Sequence, residues 1–587
     1  MKRIWISTAC GLTIIGLILG RNVLKESGYS VHESSHSTSQ KIPGVAFENV
    51  TEQFGIKFNH ANEERPASRS MYDNGMPSPA VSVMDLNEDG YPDIIFSGGM
   101  EPKVYLNDHG TRFIEQKPGT FVFNRKYPEL VGMIIWGDLN NDGIPDIILT
   151  GWPHHHIFYG YHDKNGKLSF REDSSKLNGY QSRPEAVNLL DFDQDGRLDI
   201  AFGNFIAKDG EGQSEALWFG PASYDNQTGG KNDIIQQKPD GSFLWRKDID
   251  FKTRSYTHSV GVGDLNRDGY PDLFFANDYA HDELFMNDHG KNFVDKTDEL
   301  IPIQWHGNSG MNGEVFDYNN DGLLDIYVTN IYKPPIKTPG NLLWEQQRDG
   351  TFKVVSKEKE ISQCGFSWAA KFVDVDNDGQ LDLLVTNGRD RAFHQKTPEE
   401  GESLWYRRAT AGRIPNVFRQ YYFENQMPMK PFYISAFEQH CLFHKEGDHY
   451  TDIAVPSGIT DNFEGRGMAI ADFNNDGRID FVTVANYGPA LLYMNRSTTP
   501  GHWLGLELIN KNGSRIPIGA KVTVHTKAGV NMYREYYPAN GYRAQSDWRL
   551  HFGLGDDIVT SVDVQWPQGQ KKNYPISDLN KYIQLRE

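Results

Sequence analysis

VSVMDLNEDGYPDIIFSGG, residues 81–99, sets oxygen-bearing side chains at every second position around a glycine: Asp85, Asn87 and Asp89, then Gly90, then Asp93. Carboxylates this close repel one another in any partly dry setting unless a cation lies among them. The same nine-residue pattern starts again at Asp138, Asp191, Asp264, Asp317, Asp374 and Asp472. Successive starts are 53, 53, 73, 53, 57 and 98 residues apart. A period near 50 residues with two visible insertions is the signature of a propeller, solenoid or array.

Each copy follows a short apolar run such as AVSVMD or GMIIWGD and leads into another such as DIIFSGG or DIILTGW. The unit therefore reads as strand, cation loop, strand. A third element, seen at 103–116, 283–297, 341–355 and 441–453, reads as two further strands around a polar turn. Seven four-stranded units predict an all-β, seven-bladed β-propeller over residues 45–500. The seventh unit lacks an outer strand, and FENVTEQFGIKF, residues 47–58, resembles the missing piece and is expected to close the ring.

In such a loop, positions 1, 3 and 5 turn side-chain oxygens inward, position 6 is the glycine of the sharp turn, and position 7 offers its carbonyl. Position 9 supplies a closing carboxylate. The first site is then Asp85, Asn87, Asp89, Tyr91 and Asp93, and the second Asp138, Asn140, Asp142, Ile144 and Asp146. The third is Asp191, Asp193, Asp195, Arg197 and Asp199, and the fourth Asp264, Asn266, Asp268, Tyr270 and Asp272. The fifth is Asp317, Asn319, Asp321, Leu323 and Asp325, and the sixth Asp374, Asp376, Asp378, Gln380 and Asp382. Asp472, Asn474, Asp476, Arg478 and Asp480 make the seventh. Hard oxygen donors without Cys or His select Ca2+, up to seven ions in a structural role. An EF-hand needs a bidentate Glu at position 12, where this chain has Phe96, Leu149, Phe202, Phe275, Val328, Val385 and Thr483.

The repeats resemble FG-GAP (VCBS) repeats, the calcium-bearing blades of the integrin α-subunit head. The tail, residues 501–587, resembles an ASPIC/UnbV domain through IPIGAKVTVHTKAG (516–529), NGYRAQSDWRLHFGLGDD (540–557) and VDVQWPQGQ (562–570). Its alternating segments predict a separate small β domain. Together with residues 47–58, this order is similar to the cartilage acidic protein family and its bacterial relatives. The resemblance implies a binding or cell-adhesion role and leaves any chemistry to be argued from the site.

The formal charge is −19, and 23 aspartates of the seven loops supply much of it. Seven divalent ions would bring it to −5, while scattered Lys and Arg make nucleic acid an improbable partner. Residues 1–20, with Lys2 and Arg3 ahead of the uncharged IWISTACGLTIIGLILG, predict a signal peptide or an N-terminal membrane anchor. Residues 21–44 read as a flexible linker, so the protein is expected to be exported, whether periplasmic, extracellular or anchored facing outward. Cys364 and Cys441 are compatible with a disulfide or with two buried thiols.

The expected function is a calcium-binding scaffold for a protein or glycan partner. Two long insertions, 204–245 and 390–440, are its candidate surfaces, the second equally readable as a helix packed on the ring. The alternative is an enzyme or biosynthetic accessory protein using the central channel, with Arg183, His258, His306 and Arg466 along it. His154 and His156 read as part of a polar loop rather than a metal site. His440 and His444 bracket Cys441 without a third ligand in sequence, so neither is assigned to a metal.

Overall fold

The computed structural model describes residues 44–587 apart from 64–77, 118–129, 153, 206–228, 252–253, 279, 302–308, 333–339, 389–437, 487 and 499–500. Residues 1–20, the linker before residue 44, His306 and nearly all of the 390–440 insertion thus lie outside the described residues. Among the described residues no helix is long and apolar enough to cross a membrane.

Each loop motif joins the first and second strands of an antiparallel sheet, and seven such sheets follow one another along the chain. The innermost strands are Ala80–Met84, Leu130–Gly137, Pro184–Leu190, Tyr256–Gly263, Gly313–Phe316, Ser367–Val373 and Gly465–Ala471. Each packs against the next, and the last returns to the first, which makes a closed β-propeller. Inner and second strands are apolar almost throughout because sheets cover both their faces, as in AVSVM and DIIFS of the first blade. Five of the outermost strands are only three residues long, for example Phe113–Glu115 and Phe293–Asp295, so each offers a short edge to a stray chain.

The ring closes as the pattern of residues 47–58 suggests. Phe47–Asn49 pairs antiparallel with Ala490–Asn495, Phe47 opposite Asn495, as the fourth strand of the seventh sheet. The stretch 204–245 differs from its reading as a surface insertion. Asp233–Gln237 and Phe243–Trp245 are the third and fourth strands of the third sheet, so the added segment is much shorter. The longer spacing after Asp191 had obscured those strands. Cys364 and Cys441 are bonded, with Cα atoms 6.2 Å apart, tying the third strand of the sixth blade to the segment entering that blade.

The tail builds two sheets of its own. One orders Leu550–Gly555, His502–Ile509 and Tyr582–Arg586; the other orders Asn531–Glu535, Lys521–Thr526, Val559–Gln565 and Lys571–Pro575. Ring and tail lie in one compact unit. A continuous apolar cluster runs from Ile134 and Leu189 of the blades to Leu506, Val522 and Trp548 of the tail.

Candidate cation loops and the tail that covers them

All seven loops share one hydrogen-bond scheme. The first aspartate accepts the position-6 glycine N–H on Oδ2, at 3.0 Å from Gly90 to Asp85 and 2.8 Å from Gly477 to Asp472. Position 5 accepts the N–H of position 7, as Asp89 does from Tyr91 at 2.9 Å. The ninth aspartate does the most. One oxygen accepts the N–H of position 2, as Asp93 does from Leu86 at 2.7 Å. The other accepts an N–H of the third strand, as Asp93 does from Asn107 at 2.6 Å. A carboxylate at position 9 therefore locks loop, second strand and third strand together.

Side chains then tie each loop to its neighbours. Position 4 is left-handed in every loop, with φ from 57° to 59° at Glu88, Asn141, Gln194, Arg267, Asn320, Asn377 and Asn475. Such a φ favours short polar residues, and Asn holds four of the seven places. Asn141 donates to the Gly196 carbonyl of the following loop at 2.9 Å, and Gln194 to Gly269 at 2.6 Å. Asn377 donates to Gly477 at 2.8 Å, and Asn475 to Gly90 at 3.1 Å. In the opposite direction, Asn107, Gln237, Asn287, Gln346 and Asn495 each donate to the position-2 carbonyl of the preceding loop.

The aspartates at positions 1 and 9 are buried, apart from the half-buried Asp191, and Asp93, Asp146, Asp272, Asp317 and Asp472 are withdrawn from water completely. Burial pushes Asp138, Asp191, Asp317 and Asp472 up to about 6 and Asp146 up to about 8. For Asp374 burial is followed by the charges of Asp382, Asp378 and Asp376, all holding it well above the carboxylate range. Buried like charges of this kind are disfavoured unless a cation is supplied. Oxygens of Asp191, Asp193 and Asp199 lie within 4.8 Å of one another, as do those of Asp374, Asp376 and Asp378. The donor set, carboxylate and amide oxygens around a glycine turn, fits a hard divalent ion.

The tail lies on this loop face and sends a side chain to every loop. Arg515 reaches Asp85 Oδ2 at 3.0 Å, Asn512 reaches Asp138 Oδ2 at 2.8 Å, and Lys521 pairs with Asp264. Gln568 is packed on Gly196, where a Cβ would meet its amide at 2.6 Å. Arg534 donates to the Asp317 carbonyl and to Asn320, both at 3.2 Å. His551 Nε2 is 2.7 Å from Asn377 Oδ1. Arg549 donates to the Asp472 carbonyl at 3.0 Å, and the Tyr582 hydroxyl to Asp472 Oδ2 at 3.1 Å.

One tail segment, 540–546, enters the axis of the ring and touches the inner strands of all seven blades. Asn540 accepts from Val262 N–H and Asn188 Nδ2 at 2.9 Å and returns a bond to the Val262 carbonyl at 2.8 Å. Ser259 donates to the Gly541 carbonyl, and Lys371, paired with Glu314 at 3.0 Å, donates to the Asn540 carbonyl. Ala544–Gln545 adds a parallel strand to Ala80–Met84, Gln545 Oε1 accepts from Trp136 N–H at 2.6 Å, and Ser546 Oγ accepts from Ile470 N–H at 3.3 Å. Arg543, wholly buried, meets Glu185 at 3.0 Å. Two of the four residues assigned to the channel from sequence gather beside this plug: His258 lies 5.6 Å from Tyr542 between ring centroids, and Arg466 covers the Trp368 indole at 3.8 Å. Arg183 precedes the third blade's inner strand, its carbonyl accepting from Phe205 N–H.

Elsewhere, His156 differs from its reading as part of a polar loop: it is buried, opens the third strand of the second blade, His156–His162, and pairs with Glu172 at 2.7 Å, while His155 stacks on Phe202. His440 Nδ1 accepts from Asn387 N–H at 3.1 Å. His444 departs from the sequence reading. The fold supplies the partners that sequence lacked, Asp376 Oδ2 at 3.3 Å and Asp382 Oδ1 at 4.0 Å from Nε2. Burial alone would lower this imidazole, but the Asp376 hydrogen bond and the charges of Asp382 and Asp376 hold it up to about 9.

Residues 85–149, 138–202, 209–275 and 264–328 match the FG-GAP-like repeat family, and residues 510–587 match ASPIC and UnbV. Cartilage acidic protein 1 of Homo sapiens is 23% identical over 536 residues, 86% of this chain and 71% of that one. Its Xenopus tropicalis counterpart is 23% identical over 84% of this chain and 70% of that one. Among solved structures, an Agrocybe aegerita lectin specific for non-reducing terminal N-acetylglucosamine is 18% identical at a TM-score of 0.35, covering 53% of this chain and 75% of its own. YCF48 bound to D1 peptide is 8% identical at 0.37, covering 78% and 99%.

Proposed function

We propose, for a chain of FG-GAP-like repeats capped by an ASPIC/UnbV domain and homologous to cartilage acidic protein 1, an exported interaction scaffold whose loops are filled by calcium and whose free face binds a protein or glycan. One observation carries the calcium reading. Seven loops repeat the same donor scheme around buried carboxylates whose charge has too little compensation from the protein. Asp, Asn and carbonyl oxygens of each loop would hold the ion, which supplies positive charge and fixes the turn. This chain's own residues orient the donors through the position-9 bonds and carry the order outward to Arg515, Lys521, Arg534 and Arg549 of the tail.

The tail covers the loop face, so a partner is assigned to the opposite one. The long segments of the third and sixth blades leave and rejoin the ring there, between Asn204 and Asp233 and between Asn387 and Cys441, each joining second to third strand. With residues 540–546 in the axis, a binding role accounts for the architecture better than an enzyme working through an open channel. Residues 1–20 direct the chain out of the cytoplasm, as signal or anchor.

The test is elemental analysis of desalted protein alongside thermal melting with and without chelator. Bound calcium, a melting point lowered by chelation and its recovery with calcium support the reading; magnesium should restore it poorly because it demands a tighter octahedron. Calcium-free protein whose melting ignores chelator would refute it. A reporter fused to residues 1–44 that stays active in the cytoplasm would refute export.

A further inference from the structure

The sixth loop is built differently from the others. On the third strand of each blade, one residue stands opposite the position-9 aspartate. Pairing of Leu383 with Phe443 puts His444 there in the sixth blade, where the first has Leu106 and the fourth Met286. Two loops also carry Asp rather than Asn at position 3, the third with Asp193 and the sixth with Asp376. In the third, the facing residue is Gln236, whose amide donates to Asp193 Oδ2 at 2.6 Å. An amide answers the extra charge but gives no imidazole lone pair.

In the sixth, ligand atoms of Asp376, Asp382 and His444 lie within 4.8 Å of one another, and all three side chains are at least nine-tenths buried. Asp376 Oδ1 and His444 Nδ1 are buried without a hydrogen-bond partner among the described residues. Ligands of one first-row ion at bond lengths of about 2.0–2.2 Å stand roughly 3 Å apart when adjacent and about 4 Å when opposed. The observed 3.3 and 4.0 Å fall at those two spacings. One imidazole nitrogen among carboxylates is a borderline donor set, softer than the all-oxygen loops.

We propose that the sixth loop is a site for a divalent transition ion of the zinc class, held by Asp376, Asp382 and His444, in a ring whose remaining loops take calcium. The assignment rests on the reading of these loops as cation sites and adds a division of labour among them. A chain loaded this way carries two metals of different exchange behaviour in one scaffold.

The experiment uses full-length protein, stripped with chelator and then dialysed against millimolar calcium with micromolar zinc. His444→Gln reproduces the arrangement of the third loop and should hold one zinc per chain fewer than the parent, with unchanged calcium in the other loops. X-ray absorption at the zinc edge should show an imidazole neighbour in the parent. Should His444→Gln fold poorly, Asp376→Asn, the residue type of five other loops, should lose the same ion. Equal zinc in parent and variants, or zinc with oxygen neighbours alone, overturns the assignment while calcium in both leaves the calcium reading standing. Loss of one zinc from protein that holds no calcium would refute the calcium reading and keep this one.

Discussion

Replacing Asn540 with alanine tests whether the tail segment in the axis holds ring and tail as one body. Its side chain is buried and makes three hydrogen bonds at 2.8–2.9 Å, two to the backbone of Val262 and one from Asn188. Asn188 keeps its second bond, to the Val260 carbonyl at 3.0 Å, so it is only partly deprived. Val262 loses both partners at once, facing an axis from which water is displaced. Each buried backbone group left unpaired costs about 1–3 kcal/mol, and alanine returns little in packing, so a loss of about 3 kcal/mol is expected. Denaturant melts of Asn540→Ala should show that loss, and hydrogen exchange should rise in both 255–265 and 536–547. Asn531→Ala, an exposed residue bonded to His525, should change stability by no more than about 0.5 kcal/mol. A cost for Asn540→Ala below about 1 kcal/mol, or a tail that melts before the ring in the parent protein, would refute the argument.

Loss of one loop's closing carboxylate in Asp93→Ala should remove one calcium and lower the melting point, since a site at one hundred times Kd contributes about 2.7 kcal/mol; Glu88→Ala, whose exposed side chain points to His162, should leave the calcium count unchanged. The double change Cys364→Ser with Cys441→Ser should cost about 2–4 kcal/mol in a denaturant melt, and indifference to reductant would count against the bond. Alanine at Gly322 or Gly477 imposes the same φ of +82°, but only at Gly477 would the new Cβ strike the tail, at 2.0 Å from Trp503. Gly322→Ala should therefore cost about 1–3 kcal/mol of backbone strain alone, whereas Gly477→Ala should also expose the tail to protease.

The sequence made the blades readable because each function of a loop residue is local and repeated seven times. Asp93 and its equivalents answer to spacing, and the Phe47–Asn49 strand answers to its likeness to blade-final segments. What escaped belongs to contacts between distant parts of the chain. Nothing around Asn540 signals that it will meet Val262, and the left-handed Asn141 reads as a turn residue until Gly196 of the next loop is seen beside it. His444 could be recognised only by register, since Asp376 lies 68 residues before it. Asp233–Gln237 was hidden by the added length that precedes it, which broke the period. The tail's alternating strands were legible as such, but their docking was not, because Lys521 on an amphipathic strand, or Arg515 in the loop before it, looks like any solvent-facing cation.

The strand Phe47–Asn49 has a consequence for the order in which the protein comes into being. Its partner, Ala490–Asn495, is made some 440 residues later, and the residues that fill the axis later still. A chain emerging from the ribosome thus carries the strand Phe47–Asn49 unpaired until the seventh blade has been made, and blades formed early wait as an open arc with an unmatched edge at either end. Ring closure waits for the last blade, so a transcript cut short anywhere before that blade yields an arc and not a smaller ring.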